Sequence, residues 1–258
     1  SSSPTGESGT AATRDTENSN QNGLSAPRLV DINGDDQPDV IYAGDLKGNL
    51  WKFDVSSSNP SDWDVAFNGT PLYTAYERGT GYAAVSPAKR QPITAAPTVR
   101  YTSEGGGGMM VAFGTGQNLT TADHSSTDTQ AIYSVLDNTH YRQRSATTAA
   151  GSSALPLVEV HPGESCVGAT TGCTKVPVPS PIGSTDRLIQ QSTTGAEMDG
   201  ENASSGTKFW RATKNNIDWT DATVKGWYFN LPASGERLLS NMSFYDGSNI
   251  LSVITKTP

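Results

Sequence analysis

Apolar and polar residues alternate along this chain in short bursts, without the spacing of three and four that would mark a helix. The bursts run Arg28–Val30, Val40–Ala43, Asn49–Asp54, Ile93–Tyr101, Met109–Gly114 and Ala131–Leu136, then Arg187–Ser192, Thr207–Ala212, Gly226–Leu231, Glu236–Ser240 and Ile250–Thr255. Such lengths and periods predict β-strands, and no amphipathic helix of ten or more residues is expected anywhere. The first three bursts read as strand, acidic loop, strand, tight Gly44–Gly48 turn, strand. In the third, Leu50 and Phe53 are expected to face the core, and Lys52 and Asp54 the solvent. The run Gly105–Gly108 lies between two strands and lacks the Gly-Lys-Ser/Thr ending of a phosphate cradle, so it reads as a hairpin loop. Asp246–Asn249 reads as a further turn.

Residues 1–23 carry almost no large apolar side chain and are expected to be a flexible linker or loop. Residues 24–258 form the strand-rich region, interrupted at about 138–184 by a Ser/Thr/Pro/Gly-rich insertion. Short strands in units of roughly 40 to 50 residues suggest the blades of a β-propeller. About four such units fit, which makes the chain an expected excerpt of a larger propeller. Trp51, Trp210 and Trp227 fall in strands and are expected in the core; Trp63 and Trp219 fall outside them, where the alternative is a stacking surface for carbohydrate.

Composition reinforces the all-β reading. Only 34% of residues are hydrophobic, while 26 glycines and 15 prolines supply turns. A net charge of −8 repels nucleic-acid phosphates and anionic head groups, which argues against nucleic acid as a partner. No apolar run is long enough to span a bilayer, and residues 1–22 lack the basic start and apolar centre of an export signal. The two cysteines, Cys166 and Cys173, lie close together in a Gly/Thr/Pro-rich stretch suited to a local disulfide in an oxidising compartment. Closing that short loop is worth roughly 2.5 kcal/mol by chain entropy. A zinc site that adds His161 to the pair is the competing reading, although no CxxC or HxxxH spacing supports it.

The segment with the most definite chemistry is Asp31-Ile-Asn-Gly-Asp-Asp-Gln-Pro-Asp39. Side-chain oxygens at its positions 1, 3, 5 and 9 follow the alternate spacing with which calcium loops turn donors toward one hard cation. Asp31, Asn33, Asp35 and Asp39 are expected to bind Ca2+ through side chains and Gln37 through its main-chain carbonyl. An EF-hand is excluded, because position 12 is Tyr42 where that motif needs Glu, and both flanks read as strand. Asp39 must therefore close the shell. Asp36 stands at the sixth position, where glycine would turn most easily, so modest affinity is expected. Magnesium suits so many protein oxygens less well, and a metal-free Asx-rich turn is the alternative.

Several segments together resemble the C-terminal propeller of the PilY/PilC-type tip adhesins of type IV pili. They are Asn22–Pro27, the Asp loop, Tyr42–Asp54, Ile93–Thr98, Gly114–Asn118 and Gly226–Pro232, in order over most of residues 22–257. The resemblance implies a secreted, non-enzymatic, calcium-binding propeller that assists pilus biogenesis, opposes retraction and supports adhesion and twitching motility. It implies minor pilins of the pilus tip and a host or abiotic surface as partners. The implied location is extracellular, at the pilus tip or outer surface, after export through the periplasm. The family's calcium ligands correspond to Asp31, Asn33, Asp35, Gln37 and Asp39. Two other readings use similar parts. A quinoprotein propeller enzyme would need coordination left open for its cofactor, and His124, His140 and His161 form no catalytic motif. An integrin-like FG-GAP propeller would repeat the Asp loop, which occurs once here.

Overall fold

A computed structural model describes residues 22–78, 89–143, 158–163, 176–199, 208–245, 248 and 250–258. Its first sheet is built from β1 (Arg28–Val30), β2 (Val40–Gly44), β3 (Asn49–Asp54), β4 (Asp64–Val65) and β5 (Tyr73–Thr74). The order is β1-β2-β3-β4, with β5 also on β3, and all pairs are antiparallel. The second sheet takes β6 (Thr98–Thr102), β7 (Gly108–Gly114) and β8 (Ala131–Asp137) as a meander. β9 (Tyr141–Gln143) pairs with β10 (Val158–Val160), a strand pair inside the stretch expected as loop. β11 (Arg187–Gln191) and β14 (Val224–Asn230) then complete the second sheet in the order β11-β14-β8-β7-β6, with β11 parallel to β14. β12 (Thr193–Asp199) pairs with β13 (Lys208–Ala212), and β15 (Ser243–Phe244) with β16 (Leu251–Ser252).

Where about four similar blades were expected, the described residues form two five-stranded sheets and three two-stranded ones. The expected strand at Glu236–Ser240 is reduced to one bridge, Arg237 to Lys256. Arg237 is buried there, and its guanidinium donates to the carbonyls of Gly235, Gln117, Asp123 and Ser126. Asn22 and Gly23, expected at the end of a linker, are held. Asn22 donates to Asp45 and accepts from the Lys47 amide, and the Gly23 carbonyl accepts from Leu46.

One apolar cluster joins the two sheets. Val40, Tyr42 and Leu50 of the first meet Met109, Val111, Phe113, Tyr133 and Tyr228 of the second. Tyr73 bridges them, its ring centroid 5.5 Å from Tyr133 and 6.1 Å from Phe113, and Phe113 stacks on Tyr133 at 5.1 Å. Each side chain buried this fully contributes about 1.5–3 kcal/mol, so the interface between sheets carries much of the stability.

Lys52 does not face solvent as its alternation suggests. Its side chain is 1% exposed, with Nζ 2.6 Å from Asp137 Oδ2. Strand register explains this: Lys52 lies opposite Tyr42, and both reach Asp137 at the end of β8, where the Tyr42 hydroxyl donates over 2.5 Å. Because β3 is covered on both faces along Asn49–Lys52, a two-residue period no longer separates core from solvent. Leu50 is buried as expected, whereas Phe53 is only partly covered.

The Gly44–Gly48 turn is organised by Asp45, whose side chain is fully buried. It accepts from Asn22 Nδ2, the Lys47 and Asn49 amides, Asn49 Nδ2 and Trp51 Nε1, at 2.7–3.0 Å. This fixes the β2–β3 hairpin and buries Trp51 in the way its strand position predicts.

Candidate metal centre

Asp31 to Asp39 is the connection between β1 and β2, whose register runs Arg28↔Tyr42, Leu29↔Ile41 and Val30↔Val40. The Asp39 amide donates to the Val30 carbonyl at 2.9 Å, closing the loop at its base. Gly34 and Asp36 both take positive φ, 80° and 64°. The left-handed turn expected at the sixth position is therefore present, on a residue type that tolerates it better than most.

The five expected ligands share this loop. Asp31 Oδ1 accepts from the Gly34 amide at 2.7 Å and Oδ2 from the Asp36 amide at 2.9 Å. Asn33 Oδ1 accepts from the Asp35 amide, Asp35 Oδ1 from the Gln37 amide, and Asp39 Oδ2 from the Ile32 amide at 2.7 Å. Among the described residues, no three His, Cys, Asp or Glu side chains converge as a metal cage, and these carboxylates cap the loop's own amides.

Electrostatics separates the carboxylates. Burial pushes the Asp39 carboxyl above the usual range, and the charges of Asp35 and Asp31 add to this against the Ile32 and Asn33 amides. Asp31 feels desolvation too, but the amides of Gly34, Asp36, Asp35 and Asn33 together bring it below its ordinary value. Tyr101 on β6 is pushed up by burial and then by the charges of Asp39 and Asp31, which places the second sheet within reach of the loop's field. The donor set fits a hard divalent cation. It supplies only oxygens, three of its members are anionic, and a carboxylate oxygen with one amide bond keeps a lone pair for a metal.

A cavity of about 240 Å3 adjoins the loop, lined by Asn33, Asp35, Gln37, Asp39 and the half-exposed Trp63. Trp63 Nε1 donates to the Ser57 carbonyl, so its ring is held over this edge. Trp219 instead lines an apolar groove of about 740 Å3 with Ile132, Trp227 and Phe229. His140 Nε2 lies 3.0 Å from the Gly106 carbonyl, and His161 Nδ1 accepts from the Gly163 amide. Cys166 and Cys173, expected as a disulfide, lie outside the described residues.

Short antiparallel strands in two sheets that share one apolar cluster, with an Asp-rich loop between the first two strands, make an all-β architecture, and comparison with known proteins identifies it as that of a β-propeller. The chain belongs to the PilY1 beta-propeller domain family, whose model matches residues 9–157. It is 31% identical over 262 residues to the type IV pilus biogenesis factor PilY1 of Pseudomonas aeruginosa strain PAO1, covering 91% of this chain and 19% of that protein. A PilY1 homolog of Xylella fastidiosa strain Temecula1 is 33% identical over 129 residues, 48% of this chain and 8% of its own length. The crystal structure of the P. aeruginosa PilY1 C-terminal domain matches with a TM-score of 0.62 and 27% identity, over 92% of this chain and 45% of that one. The chain thus spans about a fifth or less of the curated relatives' length. Those relatives are named as pilus biogenesis factors rather than as enzymes.

Proposed function

We propose that this chain is a non-enzymatic, calcium-binding propeller section of a type IV pilus biogenesis factor, acting at the cell surface or pilus tip. The observation that carries the calcium reading is the Asp31–Asp39 connection itself. Five oxygen donors sit at alternate positions around a left-handed Asp36, and Asp39 is pressed by burial and by the charges of Asp35 and Asp31. A divalent cation relieves that repulsion, with Asp31, Asn33, Asp35 and Asp39 holding it through side chains and Gln37 through its carbonyl. Calcium would supply a fixed cross-link there and no chemistry. The residues around it order the loop and set its angle to Tyr101 and Trp63. The relatives' names support pilus biogenesis and no more; to it we add, as our own reading, a role in pilus extension and retraction, adhesion to a host or abiotic surface, and contact with minor pilins.

Calorimetric titration with calcium tests the site. The wild type is expected to bind one ion, and Asp31→Ala with Asp39→Ala to give no binding heat while keeping its far-ultraviolet dichroism. Equal heats from the two chains would sink the calcium assignment. Chelation is expected to leave the main thermal transition in place, because the loop closes few core contacts.

A further inference from the structure

We propose that Lys52 and Asp137 are joined by an intramolecular isopeptide bond that welds the first sheet to the second. The inference goes beyond the calcium loop and does not depend on it. Lys52 Nζ stands 2.6 Å from Asp137 Oδ2, and each side chain is 1% exposed. This is the distance of a reacting amine held against its carboxyl, with both groups buried from bulk solvent. The rings of Phe67 and Tyr141 each lie 5.3 Å from Nζ. Beyond Asp137, no hydrogen-bond acceptor faces Nζ among the described residues. An ammonium there has the Asp137 carboxylate and two aromatic walls in place of its hydration shell, and burial drives it toward the neutral amine against the pull of Asp137 and then of Asp54.

The carboxyl is oriented for attack. Asp137 Oδ1 accepts from the Thr139 amide at 2.9 Å, which fixes the plane of the group. Oδ2 accepts from the Tyr42 hydroxyl at 2.5 Å, a proton carrier whose own ionisation is suppressed by burial and by the charge of Asp137. The ammonium first passes one proton to Oδ2, giving an amine and a carboxylic acid. The Nζ lone pair then forms a bond to Cγ, Nζ loses a second proton, and the Cγ–Oδ2 bond breaks. Oδ2 leaves as water carrying the two protons that left Nζ, with Tyr42 relaying the second. One proton stays on the amide nitrogen. The sum is ammonium plus carboxylate giving amide plus water, and no oxidant, nucleotide or second enzyme is required. The product removes both buried charges at once.

The experiment is the intact mass of the purified, folded wild-type chain, followed by tryptic digestion and fragmentation. The expected result is a mass lower than the sequence by one water, with a branched peptide that carries Lys52 and Asp137 together and resists cleavage after Lys52. Lys52→Arg keeps the cation but not the primary amine, and is expected at its full sequence mass with no branched peptide. Tyr42→Phe is expected to slow the loss of water without changing where the bond maps. A folded wild-type chain that stays at full mass overturns the proposal. So does a lost water that maps to an aspartyl succinimide elsewhere in the chain.

Discussion

Replacing Asp45 with alanine should destabilise the first sheet more than any comparable surface change. Five donors converge on this carboxylate, and three of them belong to buried residues: the Asn49 amide, Asn49 Nδ2 and Trp51 Nε1. Alanine leaves all three facing a small cavity. A buried donor stripped of its acceptor costs about 1–3 kcal/mol, and water entering through the Asn22 side recovers part of that, so the expected loss is about 3–5 kcal/mol. With total stabilities of about 5–15 kcal/mol, that is enough to move the urea midpoint by more than about 1 M at ordinary slopes. Unfolding would be followed by tryptophan emission, to which the buried Trp51 contributes as one of five tryptophans, and by far-ultraviolet dichroism. Asp45→Asn keeps one accepting oxygen and should lose about half as much. A double-mutant cycle with Trp51→Phe should show a coupling of at least about 1 kcal/mol. If Asp45→Ala unfolds within about 1 kcal/mol of the wild type, the hub does not hold the hairpin, and the reasoning fails.

Two further results are expected from the same unfolding assay. Gly48→Ala places a Cβ 2.6 Å from the Gln91 carbonyl oxygen and 2.9 Å from that of Ala75 at a φ of 79°, and should cost more than about 3 kcal/mol. Gly34→Ala, at φ 80° with open space around it, should cost only about 1 kcal/mol, and equal losses would refute the steric account. Asp123 is lowered to about 2 even though burial opposes it, because the Gln117 amide and the Thr120 and Leu119 backbone amides bind its charged form. Its folded value lies below the unfolded one, so its contribution of about 1–2 kcal/mol is complete above pH 4 or so and is lost as pH falls toward 2. Asp123→Asn should flatten stability over that window, and an unchanged slope would contradict the assignment.

The first sheet was largely legible in the sequence because its signals are local. Asp31–Asp39 and Gly44–Gly48 mark the two connections, and the strands between them run as expected. What could not be read was anything set by residues distant in the chain. Lys52 looks like a solvent residue because Asp137, with which it forms a buried ion pair, lies on another sheet. Asp45 looks like an ordinary turn residue, since nothing in a five-residue window shows that Asn22 and Trp51 will converge on it. The strand pair Tyr141–Gln143 with Val158–Val160 hides in a segment whose Ser, Thr, Pro and Gly content reads as loop. In the loop, the oxygen spacing and the turn at Asp36 were readable, but the capping of backbone amides by the same carboxylates was not. Spacing states which atoms are available and leaves open where they point.

The long-range pairing of β14 with β8 also has a kinetic consequence. β14 lies between β8 and β11, so the edge of β8 stays open until a strand made much later in the chain arrives. A chain that emerges from its N-terminus would form the β6–β7–β8 meander first and hold a row of bare amides and carbonyls for the interval. Closing it by a long-range contact is slow, and an open edge invites pairing with a second chain. The yield of folded protein should therefore depend more on how quickly Val224–Asn230 is delivered than on the stability finally reached.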